Sequence, residues 1–528
     1  MNIRISIGLA LMVASPGTAS AASTETGSTE PGCLSAYGDI WGERRSAIAK
    51  DEIDGGQIES RADFVRLASR AEPGVTIIKG GDFSGWDFSD MPLSGVCFEE
   101  SKLAGAIFTN AKGSGAGFIK ADLTDANMAG ADMPGILFRN AGLKNVQSGG
   151  ANFSKGHFDG GWFEGNVEGW NIDGSDMTGF TFDCGITVPD GCPVYQGGAP
   201  ISAKDADFSG ATLHGFGLSE VELTGAILDQ TIIGPRQLPH LATADFRGDI
   251  ILRGGGDDGR LTADEAQTLW TENDRWQMMQ LHPSFDCAKA ASTVEQLICA
   301  DYGHALRSAD RDIAFLYQQA KGRDPEAKAS QMAWLKQRDL CAEAEYPSEC
   351  LGESYSQRKS QLLGLLGETD WLAPGESALF IDDVLPLPAA FRQSALFGRI
   401  APALVGASMT TILIERRNDG LYAINGRAVG ANAHLCSIAA SHLYFDKQSG
   451  WYIPVSEGPA IPIFRIFDGR LEIFANGKPD HEKYPESADF MSCGMRAYFP
   501  ETIRINAGDE MIITEHVVPR EAAKQALD

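Results

Sequence analysis

Between Phe83 and Phe163 a large apolar side chain returns at every fifth place. Of the 17 positions in that register, 15 are Leu, Phe or Met, and only Gly113 and Ser148 interrupt it. An α-helix repeats its buried face every 3.6 residues and a strand every 2, so a period of five suits neither. The stretch KADLTDANMAGADM, residues 120–133, shows a second element of the pattern. Leu123, Met128 and Met133 each follow an alanine by two places, at Ala121, Ala126 and Ala131. After a one-residue slip near Val167 the series continues at Ile172, Met177 and Phe182. It then breaks, and resumes at Phe208, Leu213, Leu218, Leu223, Leu228, Ile233 and Leu238.

Such self-similarity marks a solenoid, whose units cannot bury a face alone and must stack on their neighbours. If each five-residue unit forms one short side and then turns a corner, its central residue always points to the axis. Four sides close one coil in twenty residues. Phe98, Phe118, Phe138 and Phe158 fall twenty apart and are expected in one column, with Leu103, Leu123 and Leu143 in another.

The segments KADLTDANMAGADM and DADFSGATL resemble the pentapeptide-repeat proteins, whose pattern is A(D/N)LXX. The resemblance covers residues 76–238 and implies a right-handed quadrilateral β-helix, while saying little about function. At the ~4.8 Å strand spacing, seven coils make a rod about 34 Å long. Residues 22–75, containing SRADFVRLASRAEP, are expected to form an N-terminal helical cap, since an uncapped solenoid exposes an aggregating edge. The segment CGITVPDGCPVYQGGAPISA interrupts the repeat and reads as a projecting loop stapled by Cys184 and Cys192.

Residues 1–21 have Arg4, an apolar run from Ile5 to Val13 and a small-residue site at Ala19-Ser20-Ala21, the form of a cleavable signal peptide. No later run of about 20 apolar residues exists, so no membrane span is expected and the mature chain is placed in the periplasm or outside the cell. Ten cysteines fit that compartment. The expected disulfide cysteines are Cys33 and Cys97, paired by elimination, Cys184 and Cys192, the group Cys287, Cys299, Cys341 and Cys350, and finally Cys436 and Cys493. Four cysteines allow three pairings; the short local loops Cys287–Cys299 and Cys341–Cys350 are favoured.

Net charge is −27, and the repeat region carries 20 acidic against 9 basic residues. Without a basic stripe, no nucleic-acid partner is expected. Residues 239–283 are expected to be a linker ending in a short capped helix. Within it, GGGDDGRLTADE (254–265) places Glu265 at the twelfth position of an EF-hand loop. Gly254 and Gly256 stand where the first and third ligands belong, so no calcium site is assigned.

Residues 284–366 read as a small helical module. Ser292 and Glu295 form a capping box, followed by apolar residues at helical spacing through Tyr317. Two further helices hold Gln331, Trp334, Leu335 and Arg338, then Leu351, Tyr355 and Leu362. The elements FDC (285–287), EQLIC (295–299), Q..WL..RD.C from Gln331 to Cys341, then Cys350, Tyr355 and Arg358 are similar to the LprI lysozyme-inhibitor family. That resemblance implies a lysozyme-inhibiting role; Trp334 and Tyr355 read as core residues. The acidic turn AEAEYPSE (342–349) is the favoured contact loop, because a lysozyme cleft holds catalytic carboxylates in an enzyme that is usually basic.

Residues 367–528 alternate apolar and polar positions in short runs, TTILIER, YFDKQSGWYIPV, IPIFRIFDGRLEIFANG and EMIITEHVV, with Asn-Gly and Asp-Gly turns. This is an antiparallel β domain. NAHLCS and CGMRAYF resemble the β domain that often follows LprI-type modules. His434, Cys436 and His442 could be read as metal ligands, but a disulfide-bonded Cys436 cannot serve. No G-x-S-x-G elbow, H-E-x-x-H pair, phosphate loop or dinucleotide fingerprint is present. The chain is therefore read as no enzyme, without catalytic residues, metal or cofactor. Its expected role is an exported, non-catalytic binding protein of the bacterial envelope whose partner is a lysozyme or another envelope protein. A structural scaffold is the alternative. DNA mimicry, which the pentapeptide-repeat resemblance brings with it, sits poorly with an export signal.

Overall fold

The computed structural model describes residues 32–37, 49–68, 75–182, 199–213, 218, 221–241, 246–254, 259–368, 371–430, 434–456 and 460–505. The expected signal peptide, Cys184 with Cys192, most of the projecting loop and EMIITEHVV lie outside these residues, as do 255–258 of the EF-like loop.

The repeat folds as a four-sided β-solenoid. Ile78, Phe98, Phe118, Phe138 and Phe158 are paired in parallel register at twenty-residue steps. The rings of Phe98, Phe118, Phe138 and Phe158 follow one another at 5.5, 5.5 and 5.2 Å. All four are buried, as are Ala121, Ala126 and Ala131 in the space left beside the large residues. The corners account for the rest of the pattern. Two places after each axial residue the backbone turns left-handed, at Asp90, Asn110, Asp125, Asn140 and Gly85, Gly105, Gly130 among others. L-residues avoid this region except Gly, Asn and Asp, which are the types found at most of these corners. One place before the axial residue, Asp or Asn accepts a backbone N–H two residues on, as in Asp122 from Thr124 (3.0 Å) and Asn127 from Ala129 (3.0 Å). These Asx turns pre-shape the corner.

Both interruptions have local causes. Trp170 occupies a place that usually holds alanine, and its indole is buried inside the rod. Ser148 stands where a large residue is due, leaves room for that indole, and accepts its Nε1–H on Oγ and on the backbone oxygen, each at 3.0 Å. Gly113 lies against Leu93, Ala116 and Met133, where even a Cβ would sit tightly, at 3.1–3.4 Å from their side chains. At the slip, Leu143 pairs with Phe163 but Val146 pairs with Gly165. A Cβ at Gly165 would lie 2.0 Å from the Val146 carbonyl oxygen, so only glycine permits the shortened coil.

The region expected to be a helical cap proves mixed. Strand Ala49–Asp54 adds to the solenoid sheet alongside Val75–Lys79. Helix α1 (Cys33–Tyr37) lies on the outer flank, where Cys33 is disulfide-bonded to Cys97 and its N–H donates to the Gly115 oxygen (2.8 Å). Helix α2 (Arg61–Ala68) closes the first coil, with Phe64 stacked 5.9 Å from Phe98.

The expected linker is also different: the solenoid runs on through it. Thr231–Ile233 pairs in parallel with Ile250–Leu252, which pairs with Arg260–Leu261. A 3₁₀ segment, Pro235–Leu241, replaces the regular repeat there and hides its period. Helix α3 (Ala263–Gln280) follows, opened by a Thr262–Glu265 capping box. Glu265, the twelfth place of the EF-like loop, is also held by Arg399 at 2.8 and 3.0 Å.

The next helices are α4 (Thr293–Ala300), α5 (Ala305–Lys321), α6 (Ala327–Asp339) and α7 (Pro347–Leu366). Beyond them, nine strands form an antiparallel sheet that closes into a barrel where Tyr422–Val429 pairs with Leu435–Asp446. Helix α8 (Ala395–Ala407) projects from the barrel onto the rod's end. Its Phe397, Ile400 and Leu404 share one core with Ile233, Leu252 and Leu269, so the β domain closes the solenoid.

Candidate functional site

The helical module is built around a polar spine. Tyr355 Oη donates to Asp310 (2.8 Å) and receives Arg338 Nη1 (3.2 Å), while Ser284 N–H donates to the same carboxylate (2.8 Å). Burial first, and the Asp310 carboxylate second, push the Tyr355 pKa well up, which keeps the phenol a donor. Arg358 reaches Gln331 (3.0 Å), Ser330 (2.9 Å) and Gln361 (3.0 Å). Trp334 lies edge-on to Tyr355, centroids 5.3 Å apart. Gln331, Arg338, Tyr355 and Arg358 of the module's sequence signature thus lie in its interior, while Asp286, Gln296 and Asp339 of the same signature are exposed. Disulfides Cys287–Cys299 and Cys341–Cys350 close its two short loops.

These partners also give the helix directions. Asp310 faces Tyr355 and Asp312 faces Lys359, so α5 and α7 run parallel; Arg338 faces Tyr355 and Gln331 faces Arg358, so α6 runs back between them. Helix α7 has 20 residues and is therefore about 30 Å long, and its two ends have different surroundings.

The C-terminal half of α7 is sealed against the barrel. The Lys359 ammonium contacts Asp312 (3.0 Å) and Glu472 (2.9 Å); Arg470 bridges Asp312 (2.7 Å) and Glu501 (2.8 Å); Arg465 pairs with Glu472 (2.7 Å). Lys359 Nζ sits 3.6 Å from the Phe467 ring centroid. Burial pushes the Glu472 carboxyl up, but the charges of Lys359 and Arg465 outweigh it and bring the pKa down to about 2. Strongly shifted groups often mark active sites. Here they fill a packed seam between two units, where an ionic joint is the simpler account.

The opposite end is free. The Cys341–Cys350 disulfide closes a tip made of the 3₁₀ turn Leu340–Glu343 and the start of α7, with Pro347 in the first turn, where its missing N–H costs nothing. Tyr346 is 62% exposed and Leu340 58%, with Met332 (52%) on the neighbouring helix. Asp339, Glu343, Glu345 and Glu349 surround them and are also exposed. An aromatic anchor inside an acidic rim, on a cross-linked tip, can insert into a concave basic surface with little ordering cost.

The other expected positions are placed as follows. Cys436 and Cys493 face each other across adjacent strands and are bonded. His442 is exposed and 3.0 Å from Ser441 Oγ. Among the described residues no group of three or more His, Cys, Asp or Glu is arranged to hold a metal, and no helix is long and apolar enough to cross a membrane. The ionic seam was not foreseen. Its carboxylates and cations come from α5, α7 and three separate places in the barrel, and strand alternation reads Arg465 and Glu472 as a solvent-facing row.

Comparison with known proteins agrees with both halves of this description. The pentapeptide-repeat family model matches residues 93–130 and 121–160, with eight copies. The rod is a pentapeptide-repeat solenoid. A segment of 81 residues is 40% identical to "Lipoprotein LprI" of Mycobacterium bovis and to the protein of that name in Mycobacterium tuberculosis. It covers 15% of this chain, and the chain spans about 40% of the length of those relatives. Among solved structures, full-length QnrB1, a plasmid-mediated fluoroquinolone resistance protein, is 18% identical, covering 33% of this chain and 88% of its own with a TM-score of 0.21. HetL, involved in heterocyst differentiation regulation in Nostoc sp. strain PCC 7120, is also 18% identical, covering 30% and 78% with a TM-score of 0.17.

Proposed function

We propose that this chain is an exported, non-catalytic binding protein of the bacterial envelope, and that its LprI-like module inhibits a lysozyme. The disulfide-closed tip of the module carries the proposal. It is the end of α7 that the barrel leaves open, it presents Tyr346 and Leu340 to solvent, and it is rimmed by carboxylates. Acidic rims speed association with basic partners, and a buried aromatic anchor then holds the complex. The partial likeness to LprI supports the assignment, and the disulfides fit an oxidising compartment outside the cytoplasm.

The test is clearing of a bacterial cell-wall suspension by hen egg-white lysozyme with increasing amounts of the mature chain. Clearing should slow saturably, and Tyr346→Ala should weaken the effect by about 30-fold, as loss of an interface hot spot does. Unchanged clearing at large excess would remove the inhibitor reading. One observation favours a scaffold instead: the apolar core runs unbroken from the rod into α8 and the barrel, as a stiff spacer requires. A scaffold leaves lysozyme untouched.

A further inference from the structure

Where the ends of α5 and α7 meet one end of the barrel, a cleft of about 540 Å³, counted out to its open mouth, remains between them. Domain seams and barrel mouths are the places where small-molecule sites concentrate. The floor is aromatic and polar at once. Trp371 Nε1 donates to Tyr452 Oη (3.0 Å), and Trp371 lies stacked on Tyr422 at 5.8 Å. The Tyr422 hydroxyl is buried behind Trp371, where burial first, and then the neighbouring Tyr452 hydroxyl and Glu368 carboxylate, hold it protonated. Phe315, 40% exposed, and Phe445 form the walls.

The rim decides the ligand class. Glu368 and Asp468 are exposed acceptors, while Arg323 and Gln319 are donors. Behind the rings, Arg416 stands 5.6 Å from Tyr422 and Arg504 stands 5.7 Å from Trp371. These cations disfavour a cationic ligand, and the two carboxylates disfavour an anionic one. A neutral group that has one apolar face, and that both donates and accepts hydrogen bonds around its edge, fits all of these constraints. The C–H face of a pyranose ring is slightly positive and lies well on the negative face of an aromatic ring. Its hydroxyls can reach the carboxylates and the guanidinium.

We propose that this cleft binds a neutral saccharide, taking one pyranose ring between Phe315, Phe445 and Trp371 with its hydroxyls on Glu368 and Asp468. This site lies at the opposite end of α7 from Tyr346 and does not depend on lysozyme inhibition. The test is saturation-transfer NMR on the full mature chain with cellotriose and tri-N-acetylchitotriose, and with N-acetyl-lysine methylamide as a cationic comparison. At least one trisaccharide should receive saturation on its ring C–H groups. Its affinity should fall at least tenfold in Phe315→Ala and in the double variant Glu368→Gln/Asp468→Asn, while Asp87→Asn on the rod changes nothing. The double variant alters exposed side chains only, so it remains informative should Phe315→Ala disturb the fold. Absence of transfer to either sugar, or transfer equal in both cleft variants, overturns the proposal. Preferential binding of the capped lysine also overturns it, and would reassign the cleft to a cationic side chain.

Discussion

The substitution Ser148→Leu would restore the five-residue rule that Ser148 breaks, and on pattern alone it should stabilise the rod. The packing argues the reverse. Trp170 already fills the space a leucine would need, and its Nε1–H bonds both Ser148 Oγ and the Ser148 carbonyl oxygen. The carbonyl contact survives the substitution, so loss of the hydroxyl is the smaller effect and steric crowding the larger. Overpacking a filled core costs about 1–3 kcal/mol. Trp170→Ala alone returns the alanine of the repeat but empties a buried indole site, at about 3–5 kcal/mol. Combined, the two changes rebuild a regular unit, with the leucine entering the vacated volume. The double variant should therefore cost less than the sum of the single ones by at least ~1 kcal/mol. Urea titrations followed by far-UV circular dichroism measure all three. A neutral or stabilising Ser148→Leu, or strict additivity in the double variant, would refute the idea that these two departures compensate each other.

Gly117→Val should destabilise the oxidised protein and dislodge α1, because a Cβ there would lie 2.6 Å from the Cys33 Cβ and 2.9 Å from its sulfur; the penalty should largely vanish in Cys33→Gly, which removes both atoms, as read by thermal unfolding. Lys359→Met should cost about 1–3 kcal/mol, since Asp312 and Glu472 lose the cation they share and keep only Arg470 and Arg465. Glu472 is ionised more readily in the folded chain than in the unfolded one, so its contribution is complete above about pH 4.5 and is lost as pH falls towards about 2. Without Lys359 that carboxyl's pKa rises, and acid unfolding should begin at higher pH than in the parent chain. Arg399→Ala should loosen the start of α3, where Glu265 would keep its cap but lose its cation; faster amide exchange over residues 262–268 is the readout.

The rod was legible because one rule governs all of its sides. Leu, Phe and Met at five-residue steps point to an axis, and twenty-residue columns such as Phe98 to Phe158 follow from four sides. The corners carry a signal of their own that the apolar pattern does not use: Asp, Asn and Gly crowd the left-handed places, as at Asp90, Asn110 and Gly130. The last coil was not. The 3₁₀ turn Pro235–Leu241 stands in place of a repeat, so Ile250 and Leu252 fall out of register and look like a linker. At the N-terminus, Asp51, Glu52 and Asp54 give strand Ala49–Asp54 a charged edge; such an edge blocks further pairing and also hides the strand from an apolar pattern. In the module, the interlocking residues of the LprI likeness, Gln331, Arg338, Tyr355 and Arg358, are buried, so they report the fold and leave the contact surface to be found from exposure. The ionic seam and the aromatic cleft join segments more than a hundred residues apart, and alternation along one strand carries no information about what packs on its outer face.

If the module inhibits a lysozyme, its disulfide-closed tip is the surface that meets the enzyme. Hydrogen–deuterium exchange of the full chain, with and without hen egg-white lysozyme, addresses this directly. Protection is predicted over residues 340–349 and the adjoining face of α6 near Met332, with the rod unchanged. Protection confined to the acidic rod, or no protection anywhere at saturating lysozyme, would contradict the claim.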